Sequence, residues 1–182
     1  MHVQTHLLSG WCLGNLFGLG KRGRSLAVLA AGLPDIDGLG IIFGPVAYWR
    51  YHHVICHNLL FGIFLCTILT FFSEQKKRAF TAFFVIFHLH LVMDSFGSGE
   101  DWVIYYLWPF IKQPVENPYV WSFFSWQNIT TAIIFVLWMI GLVFYAKRTF
   151  LEWVMPKLDR QIVELAEILK RKFREILSTI KQ

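Results

Sequence analysis

Residues 75–94 read QKKRAFTAFFVIFHLHLVMD, and this stretch decides the fold. Its first end is basic, with Lys76, Lys77 and Arg78. Its middle, Ala79 to Met93, is apolar on every side. Its far end carries His88, His90 and Asp94. A helix that is hydrophobic all round is buried, either in a large protein core or in lipid. A chain of 182 residues has little room for a large core. The stretch therefore reads as a membrane helix that ends in ionisable groups.

Working outward, four more apolar segments can be found. Leu7 to Leu19 ends at Lys21-Arg22-Gly23-Arg24. Ser25 to Leu33 is stopped by Pro34 and by Asp35-Ile36-Asp37. Asn58 to Phe72 precedes the basic turn at residues 75–78. Ile129 to Ala146 is followed by Lys147-Arg148. Only this last segment approaches the ~20 residues that cross a bilayer at 1.5 Å per residue. The others are expected to be short helices that end partway through the membrane around a polar site.

Composition agrees with lipid as the solvent. The chain is 55% hydrophobic and only 16% charged, where soluble domains carry about 25% charged residues. Its mean hydropathy is +0.48. The net charge of +5 does not point to nucleic acid, because the basic residues sit in short clusters between apolar runs. Cys12, Cys56 and Cys66 form no CxxC pair and read as buried free thiols. The first six residues hold no Lys or Arg before the apolar run, so no cleavable signal is expected.

The clusters at 21–24, 76–78 and 147–148 lie at alternate turns. The positive-inside rule puts all three on the cytoplasmic side. The opposite ends of the same segments then face outward, and those ends carry His6, Asp35, Asp37, His57, His90 and Asp94. Nothing in the charge rule requires the histidines and aspartates to gather on one side. Ionisable residues at membrane depth are costly and generally functional.

His90 and Asp94 are four apart, so on a helix they share one face. That spacing lets an imidazole and a carboxylate bind one ion. Asp35 and Asp37 flank Ile36 beside Pro34, which suits a turn directing oxygens at a cation. Mixed His/Asp ligation suits a divalent ion such as Zn²⁺, Mn²⁺ or Fe²⁺. His2, His53 and His88 read instead as hydrogen-bonded residues at helix ends. The aromatic region Trp102 to Trp126 reads either as a cap beside the site or as a plain interfacial belt.

Four stretches resemble one family. They are Leu33-Pro34-Asp35-Ile36-Asp37, His52 and His57 five apart, His90-Leu91-Val92-Met93-Asp94, and Leu107-Trp108-Pro109-Phe110. In this order, over residues 1 to about 110, the chain resembles the YdjM family of membrane-bound metal-dependent hydrolases. That family is in turn distantly similar to zinc-dependent phospholipase C and the S1/P1 nucleases. The resemblance implies metal ligation by His6, Asp35, His52, His57, His90 and Asp94, with Asp94 bridging two ions and Asp37 either a further ligand or a residue of the surrounding shell that orients the water or acts as base. It departs from the family at His53, where Arg is usual, and at Cys56 and Asn58, where Thr and Ser are usual. No histidine follows His90, so one or two zinc ions are implied rather than three, with manganese or iron as alternatives.

The expected fold is all-α: an integral membrane bundle of short helices around a His/Asp metal site, residues 1–150, and an amphipathic basic helix, residues 151–182. In that tail Ile162, Leu165, Ile168, Leu169, Phe173, Ile176, Leu177 and Ile180 form one apolar stripe. It suits either an anionic leaflet or a partner helix, including that of a second copy. The expected activity is hydrolysis of a lipid-linked ester, with Asp37 and Asp94 as catalytic groups and the site on the outer side of a bacterial inner membrane. A non-enzymatic metal staple or a transport path is the alternative, and a di-iron oxygenase is disfavoured by the few histidines.

Overall fold

A computed structural model describes residues 1–180 of the chain, and helix is the dominant structure among them. Lys181, Gln182 and the side chain of Ile180, parts of the expected C-terminal stripe and basic tail, lie outside the described residues. The elements in chain order are α1 (Val3–Leu16), α2 (Lys21–Gly32), a 3-10 helix (Leu33–Phe43), α3 (Pro45–Tyr51), α4 (Leu59–Phe71), α5 (Lys76–Gly97), α6 (Trp126–Ala146) and α7 (Pro156–Ile180). No strand forms among the described residues; Ile104 and Val115 make an isolated bridge. The chain divides into two compact units, 1–135 and 136–182.

In the first unit α5 is the central element and packs against α1, α2 and α4. It contributes Ala82, Phe83, Ile86 and Phe87 to the core, all wholly buried beside Ala27, Ala30 and Ala31 of α2 and Cys66 of α4. α1 and α2 approach each other through small residues. A Cβ at Gly10 would lie 2.6 Å from the Ala27 carbonyl oxygen and 2.7 Å from the Ala31 Cβ. Gly10 and Gly14 face Ala27 and Ala31, the small-xxx-small pairing that lets membrane helices come close. α4 is capped by Asn58, whose side chain accepts the Phe61 N–H at 2.9 Å.

Among the described residues, three helical stretches are long and apolar enough to cross a membrane: Lys21–Phe43, Lys76–Gly97 and Trp126–Ala146. This corrects the expected lengths of two segments. The helix of residues 25–33 does not stop at Pro34; it tightens into a 3-10 helix with Pro34 in its first turn, where a missing N–H costs little. The helix of residues 79–93 runs on through Asp94 to Gly97. Asp94 ends the apolar run in sequence, but His6 and Ser98 engage its Oδ1 inside the protein, so the helix continues.

The basic starts of α2 and α5 are neighbours. The Arg22 guanidinium stands 5.8 Å from the Phe72 ring centre, beside the turn into α5. Cations at a helix N-terminus oppose the macrodipole. Their presence at two adjacent N-termini is therefore not a capping device, and it agrees with the charge bias of membrane topology. α2 and α5 run in the same direction, since both start at this basic end and His90 reaches Ala31 near the other.

In the second unit α7 carries an apolar face and a charged one. Ile162, Leu165, Ala166 and Leu169 line an apolar groove with Met139, Ile140, Val143 and Phe144 of α6.

Candidate metal centre

The first unit brings Asp35, His57, His90 and Asp94 together, with one ligand atom from each lying within 4.8 Å of every other. Each arrives by a different local device. Asp35 sits in the first turn of the 3-10 helix, after Pro34. His57 is held just ahead of the Asn58 cap of α4. His90 and Asp94 lie one turn apart on α5, and their Nε2 and Oδ2 are 2.8 Å apart. His57, His90 and Asp94 are essentially without solvent contact.

The hydrogen bonds on the far side of each ring fix the tautomers. His90 Nδ1 lies 2.7 Å from the Ala31 carbonyl oxygen, which can only accept, so Nδ1 carries the proton and Nε2 is bare. His57 Nδ1 lies 3.1 Å from the Asp37 carboxylate, which accepts its N–H, so here too Nδ1 carries the proton. Both Nε2 lone pairs then face inward, 3.0 Å apart. They point at Asp35 Oδ1, 3.7 Å from each, and at Asp94 Oδ2. Asp35 Oδ2 and Asp94 Oδ2 are buried without a hydrogen-bond donor. Four such groups, each able to present an electron pair to one point, can hold a cation.

The spacing suits one. A tetrahedral ion with N and O ligands at about 2.0–2.1 Å requires ligand-to-ligand edges of roughly 3.3–3.4 Å. The edges from His57 to Asp35, His90 and Asp94, and from His90 to Asp35 and Asp94, run from 2.8 to 3.7 Å. The residues present therefore fit a divalent metal. The electrostatics agree at His57: burial pushes its imidazole down, but Asp35, Asp37 and Asp94 outweigh burial and hold it well above its ordinary value. The pocket wants positive charge.

Asp37 and His52 form a second group with His57. Here the contacts are those of hydrogen bonds. Asp37 Oδ1 lies 2.6 Å from His52 Nδ1, and Oδ2 accepts from His57 Nδ1 and from the Cys56 backbone N–H, each at 3.1 Å. A carboxylate that orients a ligand histidine from behind is the usual companion of a metal-bound imidazole. The geometry of Asp37 is of that kind.

His6, on α1, reaches the opposite oxygen of Asp94: its Nε2 is 3.1 Å from Oδ1. Ser98 donates to the same oxygen at 3.1 Å, and the Met1 amino group donates there too. Asp94 thus has one oxygen toward His57 and His90 and the other toward His6. His2 and His88 stand apart from the cluster: His2 packs edge-on against Phe123, and His88 Nε2 is 2.9 Å from the Tyr106 hydroxyl.

Sequence reasoning passed over His53. It is buried, its Nε2 is 4.0 Å from Asp94 Oδ2, and its ring centre is 4.4 Å from that of His57. Burial first, and then the neighbouring charge of His57, push its pKa down to about 3, so it is neutral at ordinary pH. Its backbone has φ of 65°, a left-handed conformation uncommon outside glycine that often marks functional sites. The signal was the His-His pair opening a run that closes on His57. From the aromatic region, Trp102 packs against both His52 and His53, with ring centres 5.2 and 5.3 Å away.

A cavity of about 450 Å³ opens onto this cluster. Asp35, Asp94, His52 and His53 form its polar wall, and Val3, Leu39 and Phe123 are among its apolar lining.

Comparison with known proteins bears on this site. No curated protein and no solved structure matches the chain. A family model does match, over residues 1–164, which takes in every residue of the cluster. With three helices able to cross a membrane and a buried His/Asp cluster able to hold a metal ion, the chain belongs to the YdjM inner membrane protein family.

Proposed function

We propose that the protein is a membrane-embedded, metal-dependent hydrolase that cleaves a phosphodiester or other ester of a lipid, with its site toward the outer side of the membrane. The observation that supports this reading is the cavity. A purely structural metal site is closed by its ligands, whereas a catalytic one keeps an approach open. Here Asp35 and Asp94 are both ligand candidates and cavity wall, and the rest of the lining is part polar and part apolar, as a lipid ester would require.

Asp35, His57, His90 and Asp94 would hold a divalent ion, zinc or else manganese or iron. Such an ion supplies an acidified water, with a pKa near 7, and positive charge for phosphoryl oxygens. The chain's own groups do the rest. Asp37 keeps the proton of His52 on Nδ1, which leaves His52 Nε2 free to accept a proton at the cavity wall. Asp37 is on this reading a positioning residue, since both its oxygens are already engaged. His53, neutral and with its Nδ1 unpartnered, offers a hydrogen-bonding edge beside Asp94. Trp102 covers both histidines and limits water. The outward placement rests on the basic starts of α2 and α5, which lie at the end opposite the cluster.

A second reading, a metal staple without catalysis, draws on the depth of burial of His57, His90 and Asp94. One experiment separates them. Metal content and phospholipid hydrolysis are measured on detergent-solubilised protein, wild type beside His90→Ala and Asp94→Ala. The hydrolase reading expects one or two ions per chain and release of a head group or acyl chain, both lost in each variant while the protein stays inserted. Metal binding without hydrolysis across a broad lipid panel supports the staple, and undiminished hydrolysis in both variants sinks the assignment.

A further inference from the structure

The second unit contains a surface that the metal centre does not explain. α7 changes character at its middle. Pro156–Leu169 carries Lys157 and Arg160 against Asp159, Glu164 and Glu167; Lys170–Ile180 carries Lys170, Arg171, Lys172 and Arg174 against Glu175 alone. Ile162, Leu165, Ala166 and Leu169 of the first half line the groove with α6, although Leu165 and Leu169 are still half exposed. In the second half, which does not line that groove, Phe173 is 62% exposed and Ile176 57%, with Leu177 also exposed on the same face. An apolar stripe flanked by cations and left uncovered is the pattern of a helix that lies in a membrane interface.

The unit also fixes the level of that stripe. Lys170 Nζ donates to the Phe144 carbonyl oxygen at 3.3 Å and stands 5.2 Å from the centre of the Tyr145 ring. Phe144 lies in the last turn of α6, where carbonyls have no helical partner. Lys147, just past that end, pairs with Glu167 at 3.5 Å. The middle of α7 is therefore tied to the terminus of an apolar helix long enough to cross the bilayer. Tyr145 is of the kind that marks the head-group level. A cavity of about 440 Å³ at this point is lined by Lys147, Lys170, Arg171 and Arg174 with Glu167 and Ile168. Four cations against one carboxylate suit a phosphate.

We propose that the second half of α7 beds on an anionic phospholipid leaflet, with Phe173, Ile176 and Leu177 among the acyl chains and Lys147, Lys170, Arg171 and Arg174 around lipid phosphate. Charge complementarity selects this occupant over a second copy of the helix, because two such halves would bring their cations together. A basic side chain near an anionic surface is worth about fivefold in affinity, so three of them give on the order of a hundredfold.

The test is hydrogen exchange on the full chain in lipid nanodiscs. Discs of phosphatidylcholine alone are compared with discs that also contain phosphatidylglycerol. Amides of residues 171–180 are expected to exchange at least several-fold more slowly in the anionic discs. High salt should remove the difference. So should the variant R171Q/K172Q/R174Q, which changes only exposed side chains and should leave exchange in α5 unaltered. Phe173→Ser should weaken the protection in both lipids. Equal protection with and without phosphatidylglycerol overturns the proposal. Protection that appears only with two copies per disc overturns it in favour of helix pairing.

Discussion

Replacing Asp37 by asparagine tests the hydrogen-bond frame of the metal centre most sharply. The carboxylate accepts three N–H groups: His52 Nδ1 on Oδ1, and His57 Nδ1 and the Cys56 backbone N–H on Oδ2. Asparagine has only one accepting oxygen. Placed on the His57 side, it satisfies His57 and Cys56 and sets its NH₂ against His52 Nδ1. The opposite orientation points an amide N–H at two other N–H groups, and an unsatisfied buried donor costs about 1–3 kcal/mol. The first orientation therefore wins. His57 keeps its tautomer and its inward Nε2, while His52 must accept on Nδ1 and carry its proton on Nε2.

Loss of an outer carboxylate behind a metal-bound histidine costs about 10–100-fold in metal affinity. Asp37→Asn should fall near the tenfold end, about 1.4 kcal/mol, and Asp37→Ala near the hundredfold end, because nothing then orients His57. Hydrolysis should fall further than metal affinity in Asp37→Asn, since His52 Nε2 can no longer accept a proton. Zinc competition with a chromophoric chelator, on detergent-solubilised protein, measures the first quantity, and turnover at saturating zinc measures the second. If Asp37→Asn abolishes zinc binding as completely as Asp35→Ala does, Asp37 is itself a ligand, in the group with His52 and His57, and the reasoning fails. Unchanged affinity in both Asp37→Asn and Asp37→Ala refutes the orienting role as well.

Three further outcomes are expected. Gly10→Ala puts a methyl against the Ala27 carbonyl and the Ala31 side chain, and overpacking of this kind costs about 1–3 kcal/mol; a lower unfolding temperature in detergent, with weaker zinc binding as α1 and His6 shift, is the expected result, and a wild-type melting profile argues against the close crossing. Asn128 accepts from Trp121 Nε1 at 2.7 Å and donates to the Gly97 and Phe123 carbonyls at 2.8 Å; Asn128→Ala leaves these groups unpaired and should cost about 1–3 kcal/mol in the same assay, where Asn117→Ala, nearer the surface, should cost less. Burial, and then the charge of Asp37, push the Cys56 thiol up to about 12, so it stays protonated across neutral and mildly alkaline pH; maleimide should label it only after denaturation, and rapid labelling of the native protein contradicts the burial of this loop.

The parts of the site that were legible in the sequence are those carried by helix geometry. His90 and Asp94 share a face because they are four residues apart, and that holds whatever surrounds them. Asp35 was legible through Pro34, which marks a turn. Helix length was not legible, because a proline or a carboxylate reads as the end of an apolar run. Whether Asp94 ends α5 depends on its partners, and these are Ser98 one turn on and His6, 88 residues away on α1. The closeness of α1 and α2 had a readable signal in Gly10 and Gly14 opposite Ala27 and Ala31, but small residues announce a close approach only once the facing helix is known.

His53 and Asp37 show a different limit. His52, His53 and His57 look alike in sequence, and spacing alone cannot say which nitrogen of which ring faces the centre. The structure decides it through the groups behind the rings: a carboxylate behind His57 and His52, and for His53 a left-handed backbone. The same reasoning separates ligand from frame among the aspartates. Asp35 through Oδ1 and Asp94 through Oδ2 face the inward Nε2 atoms of His57 and His90, and among the described residues no donor on another element claims those positions; Asp37 has donors on both oxygens. A metal binds where lone pairs converge, so the oxygens that face the two Nε2 atoms, rather than the count of acidic residues, mark the candidate ion position between α5 and the 3-10 helix.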